Sequence, residues 1–156
     1  MAFTDRELFK QQQAGALGTT GATAPITAIG KVHEETFTFI NTAGSPLAEV
    51  AIAMTKPGIV KAIRATPGST LAVDATNYVT GTVAVRDGAG GNATTVGTFT
   101  TNSSGGAALT AFTPTTVTVT QSAAVFAAGN VITYKLVDAA TTTEPAVSVA
   151  VTVEYI

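Results

Sequence analysis

Valine occupies positions 147, 149, 151 and 153, and Ser148, Ala150, Thr152 and Glu154 fill the places between them. Strict period two puts all four valines on one side of an extended chain, whereas a helix would scatter them around its axis. Val147–Tyr155 therefore reads as a strand with one buried face, central or well paired in its sheet. The same alternation recurs along Tyr78–Arg86, with Val79, Val83 and Val85 inward and Thr80, Thr82 and Arg86 outward. That is the pattern of an antiparallel strand with one wet face.

From Lys31 onward, short runs of this kind alternate with turn signals, the spacing of a sandwich or barrel. Eight or nine strands are expected. Besides the two above they are Val32–Ile40, Ala48–Met54, Ile59–Ala65, Thr94–Thr101, Thr116–Thr120 and Val131–Val137. Ser45-Pro46, Lys56-Pro57-Gly58 and Thr66-Pro67-Gly68 mark the boundaries, and Asp87–Asn92 and Asn102–Gly106 read as loop tips. Thirty threonines support sheet over helix, because β-branched side chains lose little freedom in strands. Tyr134 alternates with Ile132 and Leu136 and is expected in the core.

The first thirty residues differ. Thr4 and Glu7 form a capping box, with Phe3 and Leu8 placed as a hydrophobic staple, so a short helix is expected from Asp5 to about Gln13. So short a helix does not hold alone in water, and Gly15, Gly18 and Gly21 loosen the chain beyond it. The segment needs a partner surface to order. The expected fold is thus all-β: an antiparallel β-sandwich, jelly-roll or Ig-like, over residues 31–156, with an N-terminal arm over 1–30 carrying a short helix.

Composition narrows the function. A chain that is 46% hydrophobic and 12% charged builds a core, and 156 residues suffice for one domain. Basic residues are spread thinly from Arg6 to Lys135 and the net charge is −2, so no stripe exists to neutralise nucleic-acid phosphates. Lack of cysteine removes disulfides and thiolate chemistry together. MAFTDREL lacks the apolar run of a signal peptide and no segment has the apolar length of a membrane span, so synthesis in the cytoplasm is expected.

No pattern supports catalysis. The sole histidine, His33, lies at a strand start beside Glu34 and Glu35, without metalloprotease spacing or a serine elbow. Neighbouring carboxylates on a strand point to opposite faces, so Glu34 and Glu35 do not form a glycosidase pair. The loop Asp87–Asn92 lacks the Gly-Lys-Ser/Thr ending of a phosphate cradle and supplies too few oxygens for calcium. Neither a cofactor nor a metal is expected. A sugar-binding module would present aromatic platforms, and this chain has three tyrosines and no tryptophan.

Lys61–Ile156 resembles head-associated proteins of tailed bacteriophages, including the decoration or cement proteins of assembled capsids. The residues carrying this are Thr66-Pro67-Gly68, Leu71, Asp74–Thr80, Arg86–Gly91, Leu109–Pro114, Ala127–Ile132 and Val151–Tyr155. The resemblance implies a non-catalytic β-sandwich on a virion surface, often trimeric, whose arm reaches the major capsid protein. Phe3, Leu8, Phe9 and Leu17 are then the expected capsid-contact residues. The alternative is a glycan-binding β-sandwich domain of a phage head or tail fibre.

Overall fold

The computed structural model describes residues 33–41, 49–139 and 145–156. The arm, its helix and the contact candidates Phe3, Leu8, Phe9 and Leu17 lie outside the described residues. Within them the chain forms β1 (His33–Phe39), β2 (Val50–Ala53), β3 (Gly58–Pro67), β4 (Val79–Arg86), β5 (Thr94–Thr100), β6 (Thr115–Val117), β7 (Val125–Phe126), β8 (Val131–Asp138) and β9 (Val147–Tyr155). A 3-10 turn, Gln121–Ala123, separates β6 from β7.

These strands make two antiparallel sheets. One has the order β1-β9-β3-β6, with β7 also on β3; the other has the order β2-β8-β4-β5. Val147, Val149, Val151 and Val153 are fully buried, as the period-two pattern requires, and β9 lies between β1 and β3. Ile63 and Ala65 of β3 and Val117 of β6 join them from the same sheet, while Val83, Ile132 and Leu136 close over them from the opposite one. Phe39 meets Tyr134 across the gap at 6.0 Å between ring centroids. Burying each valine contributes roughly 1.5–3 kcal/mol, so the repeated β9 positions outweigh any single surface pair in holding the sheets together.

Two of the expected strand ends are displaced for a local reason. β3 runs through to Pro67, because Ala65, Thr66 and Pro67 stay in register with Val149, Ser148 and Val147 on the β9 side. Proline is tolerated there as the strand's last residue. The alternation of Thr116–Thr120 continues beyond the ladder, but pairing with β3 ends at Val117. Past that point Thr120 N–H donates to Val96 O (2.7 Å), so the chain crosses to the β5 edge of the other sheet. Val96 is the extra residue of a bulge, since Val83 faces Gly97 and Ala84 faces Thr95. Its carbonyl is thereby turned out of the β4 ladder and available to Thr120.

Candidate functional site

Residues with possible chemistry are scattered. His33 is exposed on β1 and stacks on Tyr155 at 5.8 Å. Glu35 accepts a hydrogen bond from the Tyr155 hydroxyl (3.1 Å), while Glu34 points to the other face. Burial and the Glu35 carboxylate together push the Tyr155 phenol up. Asp87 is occupied by its own loop, accepting from Gly91 N–H (2.8 Å) and Asn92 Nδ2 (3.1 Å). No three His, Cys, Asp or Glu side chains gather as a possible metal site among the described residues.

The feature that stands apart is Phe112. It lies in the connection from β5 to β6, and four hydrogen bonds, three between backbone groups and one to a threonine hydroxyl, fix that connection to the end of β3 and the segment that follows it. Leu71 and Leu109 exchange both of theirs (2.8 and 2.9 Å), Ala111 N–H donates to Thr70 Oγ1 (3.2 Å), and Phe112 N–H donates to Pro67 O (2.9 Å). Thr113 N–H then closes a turn onto Thr110 O (3.1 Å). Phe112 takes φ +54° in this turn, a left-handed conformation that costs a non-glycine residue roughly 1–3 kcal/mol. Burial does not compensate, because Phe112 is 79% exposed.

Beside the ring lies a groove of about 180 Å³ lined by Ile40, Asn41, Thr66, Pro67, Ala146 and Phe112, among others. None of its lining residues is charged. Ile40, immediately after β1, is 73% exposed. Asn41 is its counterpart in polarity: only 3% exposed, it donates from Nδ2 to Pro145 O (3.2 Å), while its Oδ1 has no partner. A buried acceptor without a donor costs about 1–3 kcal/mol, and native structures hold few of them.

A rigidly presented aromatic ring, a second exposed aliphatic side chain and an uncharged groove with Asn41 in its lining together fit a protein surface. An apolar side chain would enter the groove. The sequence reading missed all three residues. One signal was available: in Leu109–Pro114 an aromatic residue stands in a Thr/Pro turn where neither strand periodicity nor a core face accounts for it. Neither a protein-family model nor a curated protein sequence matches the chain.

Proposed function

We propose that the chain is a non-enzymatic virion structural protein, a decoration or cement subunit that binds the outer surface of a tailed-phage capsid. The observation carrying this reading is Phe112, exposed yet strained and clamped into its orientation. An aromatic anchor that is pre-organised in this way loses little conformational entropy on docking, which is how a few residues come to dominate a protein interface. The strand orders β1-β9-β3-β6 and β2-β8-β4-β5 support it at the level of fold. We read them as a jelly roll rather than an Ig-like arrangement, and jelly rolls recur in viral capsid and lectin domains. That is an analogy of architecture and carries less weight than the site itself. The partner on this reading is the major capsid protein, and the free subunit is a homotrimer.

The test is copy number and its dependence on Phe112. Mass spectrometry of purified particles should find the protein in hundreds of copies that track the capsid, and Phe112→Ala should reduce binding to undecorated heads about thirtyfold, the loss of roughly 2 kcal/mol typical of an interface anchor. A few copies at one vertex or on the tail would overturn the decoration role. Unchanged binding by Phe112→Ala would remove Phe112 from the contact.

A further inference from the structure

A second groove lies on the outer face of β4 and β5, apart from Phe112. Since Val79 points into the core, Tyr78 and Thr80 project outward on either side of it, and Thr98 and Thr100 face outward from β5 through the pairs Thr82 with Thr98 and Thr80 with Thr100. Together with Asn102 and Ser104 they line a groove of about 370 Å³. No charged residue contributes to it.

Its walls are held independently of any ligand. Asp74 Oδ1 accepts from Thr76 N–H (2.7 Å) and Asn77 N–H (2.8 Å), which fixes the approach to Tyr78. Asp74 N–H donates to Thr101 O (3.0 Å), and Ser103 N–H donates back to Asp74 O (3.0 Å), so the two walls are bonded to each other. Asn102 Oδ1 accepts from Ser104 N–H (2.7 Å), and Gly106 N–H donates to Asn102 O (2.7 Å). Only glycine fits at 106, where a Cβ would lie 2.3 Å from Thr100 O.

The chemistry offered is uniform. Thr80 and Thr100 share a hydroxyl–hydroxyl bond (3.0 Å), and Asn102 N–H donates to Thr100 Oγ1 (3.2 Å). Thr98 Oγ1, Ser104 Oγ, the Tyr78 hydroxyl and Asn102 Nδ2 have no hydrogen-bond partner among the described residues. Hydroxyls both donate and accept, so they match a ligand that is itself made of hydroxyls. An ion would find no opposite charge, and a purely apolar ligand would strip water from these groups without replacing it. The Tyr78 ring supplies the one aromatic surface, against which the C–H face of a sugar ring packs. We infer that this groove binds a neutral saccharide, with one ring against Tyr78 and its hydroxyls bonded to Thr98, Asn102 and Ser104. The inference does not rest on capsid binding.

The experiment is an amide-resolved NMR titration of the full chain with maltose, cellobiose, lactose and chitobiose, and with sialyllactose and sorbitol as charged and acyclic comparators. At least one neutral disaccharide should give saturable shifts at Thr80, Thr98, Thr100 and Asn102 at millimolar concentration, with sorbitol giving none. Tyr78→Ala should weaken that binding at least about tenfold, the loss of one stacked ring. Thr98→Val, which keeps the strand's β-branched shape, should weaken it severalfold, and Phe112→Ala should leave it unchanged. Saturable shifts that persist in both Tyr78→Ala and Thr98→Val would move the site elsewhere and overturn the inference. So would stronger binding of sialyllactose than of every neutral sugar, or no saturable response to any of them.

Discussion

Tyr134 is the largest fully buried side chain, and its hydroxyl has no hydrogen-bond partner. Burial alone pushes its phenol far above the ordinary range. Removing an unanswered polar atom from a core while keeping the ring is favourable, so Tyr134→Phe should raise unfolding stability by about 1 kcal/mol in urea titration. A loss of stability would mean that the hydroxyl is satisfied in solution. Phe112 makes the opposite kind of case. Phe112→Gly relieves the left-handed φ and gives up little burial, so it should keep or raise stability by up to about 1 kcal/mol while weakening docking at least as much as Phe112→Ala does. Separation of the two readouts is what marks strain held for function. At Gly81 the Phe99 ring lies where a side chain would begin, with ring atoms 2.1 Å from an added Cβ. Gly81→Ala should therefore cost about 1–3 kcal/mol in the same assay.

Among the elements, β2 is weakly built, four residues at a sheet edge paired only with β8. A clamp just before it compensates. Glu49 accepts two hydrogen bonds from Arg86 on β4 (2.8 and 2.7 Å), reaching across β8. The Arg86 guanidinium, then the Thr133 hydroxyl, hold the Glu49 carboxyl below its ordinary range. Backbone N–H groups of Asn77 and Thr76 do the same for Asp74. For carboxyls lowered by folding, the stabilisation is fully present above their unfolded pKa and is lost as pH falls through the folded one. Stability should therefore fall below about pH 4, and Glu49→Gln with Asp74→Asn should flatten that limb of the profile. A limb of unchanged steepness in the double variant would assign acid sensitivity to other carboxylates. Both groups are largely solvated, so the effect is one of shape rather than of large magnitude.

For the whole molecule, the described residues already include both sheets and the shared core, so removal of residues 1–30 should leave a folded sandwich by circular dichroism and cooperative melting. Binding to undecorated heads should weaken, since the large apolar residues of the arm are then gone. An unfolded truncation would make the arm part of the core. A core built mostly from valine and alanine buries modest area per residue, and association of folded subunits adds to its stability by mass action. Light scattering at micromolar concentration should give the mass of a trimer; a strict monomer with a concentration-independent melting temperature would exclude it.

Strand identity was legible from the sequence because period two is a property of consecutive residues: Val147–Val153, Val79–Val85 and the inward Tyr134 follow from alternation alone. Pairing is not local. Nothing in Thr116–Thr120 says that the chain leaves β3 at Val117 for the carbonyl of Val96, because that acceptor exists only where a bulge on another strand exposes it. Apart from the aromatic residue standing in the Thr/Pro turn, the Phe112 site was illegible for the same reason. Ile40–Asn41, Pro67, Phe112 and Ala146 lie far apart in sequence, and only the strand order β1-β9-β3, with the Phe112 turn bonded to Pro67, brings them to one groove. The local code therefore determined which residues extend and which face they bury. The tertiary structure alone decided which polar atoms were left without partners and which apolar side chains remained in solvent, since both depend on what the rest of the chain covers.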